Sequence, residues 1–212
     1  EDAAPAFGLG LGGLRGAGRI AGHEEVGPVA RHGIRDDTSV IPEPDPGRPE
    51  APASPGRLEF RAERADASPG RELLAAMVAH LADLYGPENE AGTPSAHPEE
   101  LASPGGAFLV LYEDGEPVAC GGVKRLADGV GEIKRMYVVP AARSRGHARR
   151  LLDALEAASA GLGYRRVRLD TGHLQPHAQA LYRSAGYEPI PDYNGNPFAS
   201  HWFEKGLPAA EA

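Results

Sequence analysis

The chain has 212 residues, 41% of them hydrophobic, a formal charge of -8 and a single cysteine, which allows one substantial core plus a tail. The acidic balance, with no dense Lys/Arg run outside one turn, excludes the basic face that nucleic-acid binding requires. Lone Cys120 rules out an intramolecular disulfide and fits a reducing compartment, and the absence of a run of about eighteen apolar residues removes the ordinary helical membrane span, so a cytoplasmic protein without a membrane partner is expected.

Residues 1–57 carry 11 Gly and 8 Pro with few large apolar side chains at any regular spacing. Such a composition cannot offset the entropy of ordering, and a disordered leader and linker is expected there. Gly8-Leu-Gly10-Leu-Gly-Gly13 fits the dinucleotide fingerprint, but no strand can precede it and no helix convincingly follows, so a flexible Gly-rich tail is the better reading.

Order is predicted from residue 58 to about 206, with residues 207–212 a short tail. Leu58, Phe60 and Ala62 alternate with charged residues as in a half-buried strand. Leu73, Leu74, Met77, Val78, Leu81 and Leu84 then form one stripe at helical spacing over Arg71 to Tyr85. Gly86 to Gly105 is a long Pro-rich connection with one helical turn near Glu99, of the kind that shapes clefts. Strands at Ala107 to Tyr112 and Pro117 to Arg125 flank the hairpin turn Glu113-Asp-Gly-Glu, and a third at Glu132 to Val139 completes an antiparallel meander. Cys120 in its middle reads as an inert core residue.

A helix from about Arg145 to Gly161 presents Ala148, Leu151, Leu152, Leu155 and Ala158 on one face. Arg166 to Thr171 is a strand, and strand–helix–strand order implies a parallel neighbour. Pro176 opens the last helix, which stops at Gly186, and two short strands follow around the loop Pro191 to Pro197.

The turn before the long helix is where the chemistry concentrates. Arg143, Arg145, Arg149 and Arg150 surround Gly146 at a helix N-terminus, whose unpaired N–H groups and dipole favour an anion, so a phosphorylated cofactor is the natural guest. Arg143-Ser-Arg-Gly146-His-Ala148 fits [Gln/Arg]-x-x-Gly-x-[Gly/Ala]. Gln175-Pro-His-Ala178-Gln-Ala-Leu181-Tyr182, leading to Gly186-Tyr187, is similar to Asn-x-x-Ala-x-x-Leu-Tyr…Gly-Phe, with Gln for Asn and Tyr for Phe. Together with the element order, these segments resemble the GNAT acetyltransferase superfamily over roughly Leu58 to Lys205.

The resemblance implies an α/β fold of α+β type: a mixed, mostly antiparallel central sheet flanked by helices. It also implies acetyl-CoA as donor and a homodimer as the default assembly; with no recognisable peptide-binding or accessory module, a small-molecule amine is the expected acceptor and a peptide the alternative, and no metal is expected. The pyrophosphate would rest on the N–H groups of Arg145, Gly146, His147, Ala148 and Arg149, with Arg143 and its neighbours adding charge and Gln175 at the superfamily's Asn position. Met136 and Val138 would offer backbone groups to the pantetheine arm, and the Met136 N–H would polarise the thioester.

Glu132, eleven positions before Arg143, would be the general base, or else an exposed strand carboxylate paired with Lys134 or Arg135. Tyr182 would be the general acid, or a buried hydroxyl satisfied by backbone. Asp170 either attracts a cationic amine or caps the next turn. His201, Trp202, Tyr193 and Asn194 either line the acceptor side or pack an edge strand, and His173 and His177 lack the third ligand a metal site needs. Direct acetyl transfer to a primary amine of a small molecule is the reading. Its rivals are peptide N-acetylation and an acyl-CoA-binding module without catalysis.

Overall fold

A computed structural model of the chain describes residues 56–86 and 96–208. The expectations of a disordered leader, of no Rossmann site at Gly8 to Gly13, and for much of the 86–105 connection lie outside those residues. Within them the order is β1 (Leu58–Ala62), α1 (Gly70–Tyr85), β2 (Ala107–Glu113), β3 (Glu116–Ala127), β4 (Val130–Val138), α2 (His147–Gly161), β5 (Arg166–Thr171), α3 (Pro176–Ser184), β6 (Glu188–Ile190) and β7 (His201–Gly206). The strands form one sheet in the order β1-β2-β3-β4-β5-β7-β6. All neighbours are antiparallel except β4 and β5.

β2 reads Ala-Phe-Leu-Val-Leu-Tyr-Glu, apolar nearly throughout, because both faces of the sheet are covered. Phe108, Val110 and Tyr112 fall on one side with Leu73 and Met77 of α1, together with Cys120 and Tyr137. Leu111 falls on the other with Leu151, Leu152 and Leu155 of α2, Tyr182 of α3 and Phe203 of β7. At about 1.5–3 kcal/mol for each fully buried large apolar side chain, these two layers are the main favourable term in folding. Burial pushes the Cys120 thiol up to about 12 and leaves it a small core residue.

The elements fall close to their predicted places, with two informative differences. The long helix starts at His147 rather than Arg145, since Ser144 and Gly146 both have positive φ (65° and 79°) and cannot be helical. Gly146 is therefore the N-cap residue. The inward stripe of α2 also begins and ends on polar residues, His147 and Ser159, the latter donating its hydroxyl to the Leu155 carbonyl at 2.7 Å.

β4 is irregular where it matters. Cys120 pairs with Tyr137 and Gly122 with Lys134, so β4 holds one extra residue there, and Arg135 sits at φ 61°. That is a β-bulge, which bends the strand and re-aims the residues after it. β4 pairs with β5 only through Val130, Gly131 and Glu132. Beyond Glu132 the two parallel strands separate, and the gap between them is the floor of the site.

Candidate active site

An open cleft of about 760 Å³ runs through the splay between β4 and β5. Ile133 to Val138 line one wall and Asp170 to Gly172 the other; the α2 turn and Tyr182 lie toward one face of the sheet, and Met77, His80, Leu81 and Tyr85 of α1 toward the other.

At the α2 end the site is backbone. The first helical bond runs from the Arg150 N–H to the Gly146 carbonyl at 3.2 Å, so the N–H groups of His147, Ala148 and Arg149 precede the ladder, and no side chain among the described residues caps the helix. An uncapped N-terminus opening on a cleft is ready for an anion. Positive φ at Ser144 and Gly146 folds the run 143–149 into a concave turn of the kind that gathers N–H groups. These features fit a phosphorylated cofactor.

The arginines brace this turn as well as charging it. Arg143 Nε donates to the Val138 carbonyl at 3.1 Å, Arg149 Nε to Asp153 at 2.9 Å, and Arg150 to the Arg145 carbonyl at 2.9 Å. The Arg145 side chain turns away from the cleft to Glu113 on β2, at 2.7 Å. His147 is buried with its ring toward the same carboxylate, Nε2 at 3.4 Å from Oε1, and no hydrogen bond reaches either ring nitrogen among the described residues. Glu113 thus anchors the turn from behind.

Past Glu132 the edge of β4 has no partner strand on the β5 side among the described residues. The Val139 N–H donates to Val118 of β3 at 2.9 Å, so by strand alternation the Val138 and Met136 peptides point the other way, toward the gap. Gln175 lines the cleft, but its Oε1 is engaged by the Thr171 hydroxyl at 2.9 Å and the Gly172 N–H at 3.1 Å, tying the end of β5 to α3. Tyr182 is buried in the cleft wall, its hydroxyl 3.9 Å from the Met136 sulfur. Burial, reinforced by the charge of Asp170, holds this phenol far above the ordinary tyrosine range, so it keeps its proton.

The opposite end is built from side chains. Glu132 is 2% exposed and accepts hydrogen bonds from Tyr193 Oη at 2.8 Å and Asn194 Nδ2 at 3.2 Å, with Lys134 Nζ at 3.1 Å. The alternative of an exposed carboxylate does not hold. Lys134 also reaches Asp170 at 2.6 Å, and Asp170 accepts from Asn194 and Asn196 at 2.5 and 3.2 Å. Asp170 therefore engages side chains rather than capping a turn. Lys134, Asp170 and Asn196 face the cleft, while Glu132 stands behind them.

An isolated buried carboxylate is costly, and removing one partner of a buried pair typically costs about 3–5 kcal/mol, so this cluster persists as a unit or not at all. Tyr193 is held neutral by burial and by the Glu132 charge beside it.

Trp202 does not line the cleft; its indole N–H donates to Asn194 Oδ1 at 2.9 Å and fixes the β6–β7 loop. His201 bonds Ser200 and stacks on Phe203, and His173 meets Tyr85 edge-on. Lys134, Asn196 and Glu113 were missed as site residues. The first had a readable signal, because Glu132 and Lys134 are two apart on a strand and share a face. The others come together only through loop and hairpin geometry.

The model of the acetyltransferase (GNAT) family matches residues 73–187. An IAA acetyltransferase from Azospirillum brasilense is 34% identical over 140 residues, covering 64% of this chain and 89% of the relative. The uncharacterized N-acetyltransferase YjgM of Escherichia coli (strain K12) is 34% identical over 130 residues, covering 57% and 77%. Among solved structures, an acetyltransferase of the GNAT family from Staphylococcus aureus superposes with a TM-score of 0.56 at 15% identity, over 72% of this chain and 100% of that one, which is a likeness of fold. With the splayed sheet, the uncapped helix and a family match over just more than half its length, the chain belongs to the acetyltransferase (GNAT) family.

Proposed function

We propose that the protein transfers an acetyl group from acetyl-CoA directly to a primary amine of a small molecule. One observation carries this reading: a single cleft joins an uncapped helix N-terminus, suited to a pyrophosphate, to a buried charge cluster suited to an amine. The N–H groups of residues 145–149 hold the cofactor's phosphates, with Arg143 and Arg149 adding charge. The Val138 and Met136 peptides align its arm along the gap, and Gln175 props the facing wall. The Met136 N–H stabilises negative charge on the thioester oxygen as the amine attacks.

Two protons then have to move. The ammonium gives one to the cluster of Glu132, Lys134 and Asp170, of which Asp170 and Lys134 meet the cleft and Glu132 is the buried counter-charge. Lys134 Nζ joins the two carboxylates, 3.1 Å from Glu132 and 2.6 Å from Asp170, so the cluster rather than one carboxylate is the base. The Tyr182 hydroxyl faces the departing sulfur. With its affinity for the proton raised, full transfer from it is uphill, and a strong hydrogen bond to the developing thiolate is its larger contribution.

The test is thiol release from acetyl-CoA against a panel of amines, amino acids and peptides, with CoA-dependent melting measured alongside. Expected is a rise in melting temperature with CoA and amine-dependent release. CoA that leaves the melting temperature unchanged overturns the cofactor assignment, and release indifferent to every amine overturns the transfer.

A further inference from the structure

On the α1 face Tyr85 lines the cleft, and we infer that this side chain is a bar across the acceptor mouth that sets the largest amine the enzyme accepts. The inference rests on the acetyl-transfer reading and adds a specificity-determining residue to it.

The argument is one of crossing. α1 packs over β3 and β4, whereas Gly172 to Leu174 continue β5 on the far side of the splay. Tyr85, the last residue of α1, spans that gap. Its hydroxyl oxygen accepts the Leu174 N–H at 3.1 Å, and its ring meets His173 edge-on with centroids 5.7 Å apart.

Gly172 is the socket. A Cβ there would overlap the Tyr85 hydroxyl oxygen and lie 2.7 Å from Cζ and 2.9 Å from the Phe198 carbonyl, so no larger residue leaves room for the ring. The end of α1 and the loop after β5 therefore meet on one aromatic side chain, the Phe198 carbonyl of the β6–β7 loop borders the same socket, and Phe198 lines the cleft beside it. Asp170 stands two residues before the socket. An amine approaching the charge cluster from the α1 face passes Tyr85, and a polypeptide backbone or a wide ring meets it.

The bar is tested by thiol release from acetyl-CoA with ethylamine, phenethylamine and an N-terminally blocked, lysine-containing tripeptide, comparing wild type, Tyr85→Ala and Tyr85→Phe. Tyr85→Ala is expected to raise kcat/KM for the tripeptide relative to ethylamine by about tenfold or more, the scale of steric discrimination in pockets. Tyr85→Phe keeps the ring and should keep the wild-type order of preference. An unchanged tripeptide-to-ethylamine ratio in a Tyr85→Ala protein that melts as the wild type does overturns the bar. So does a Tyr85→Phe protein that shifts the ratio as far as Tyr85→Ala.

If the alanine variant does not fold, Tyr85→Leu is read by the same criteria, since leucine keeps an apolar helix end but cannot reach Gly172. Thiol release by wild type with none of these amines overturns the transfer reading itself. Release with an unmoved ratio overturns only the bar.

Discussion

The end of the cleft proposed to hold the cofactor's phosphates is made of backbone from one short run, residues 143–149, whereas the end proposed to handle protons is made of side chains from β4, β5 and the β6–β7 loop. The first tolerates exposed, variously paired arginines because its N–H groups are supplied by conformation. The second is a set of buried charges in which each group is another's partner. Two ends built so differently should fail differently when altered: the first in affinity, the second in turnover.

The largest expected effect lies at the charged end. Asp170→Asn should lower kcat by about 10²–10³, within the range for losing a positioned proton-transfer group, and Tyr182→Phe by about 10²–10³ as well, the range for losing one hydrogen-bond donor to a developing anion. KM for acetyl-CoA should stay within about twofold of wild type. Glu132→Gln should lower kcat comparably, and the Glu132→Gln, Asp170→Asn double variant should be little worse than either single one, as for groups acting as a unit. Steady-state kinetics decides: fully multiplicative losses would break the cluster into independent residues, and a parallel rise in acetyl-CoA KM would break the separation of the two ends.

A smaller effect is expected from Gly146→Val. With φ at 79° a β-branched residue is strained there, and about 1–2 kcal/mol separates the left-handed conformation from its alternatives. The turn should relax, raising KM for acetyl-CoA about tenfold with kcat nearly unchanged, since affinity rather than chemistry is lost. Titration calorimetry with CoA checks this, and a drop in kcat without a change in CoA affinity would contradict it.

The smallest effect is a stability gradient in alkali. Tyr182, in the cleft wall, and Tyr193, beside Glu132, have proton affinities raised mainly by burial above the ordinary tyrosine value of 10.0, as does Tyr187. Cys120 is raised from 9.0 to about 12. In the unfolded chain these groups ionise first, so between the ordinary values and the raised ones the folded state binds more protons. Their contribution is therefore full below about pH 9 and falls as pH rises, the Cys120 part through about 9–12 and the tyrosine part from about 10 upward. Melting temperature should fall steadily over that interval, and Tyr193→Phe should flatten the fall. A flat profile in the wild type would mean the ring is not sealed.

Much of the 143–149 turn was legible because it is local. The spacing of Arg143, Gly146 and Ala148 and the hydrophobic stripe behind them prescribe a turn and a helix start without reference to the rest of the chain. Even there a one-turn detail escaped, because whether Gly146 is the second helical residue or the N-cap depends on Ser144 also taking positive φ, which its side chain does not announce. The charged end was only half legible. Glu132 and Asp170 were singled out as residues, but their burial was not, since Lys134, Tyr193, Asn194 and Asn196 reach them from 2 to 62 positions away in sequence.

Composition, periodicity and two motifs thus determined the order of elements, the parallel β4–β5 pair and the position of the phosphate turn, because each of these rests on short-range backbone preference and apolar patterning. The depth at which Glu132 sits, the turning of Arg145 and His147 onto Glu113, and the reach of Tyr85 into the space above Gly172 were decided by tertiary structure alone. Each depends on the distance between chain segments far apart in sequence, and packing sets those distances.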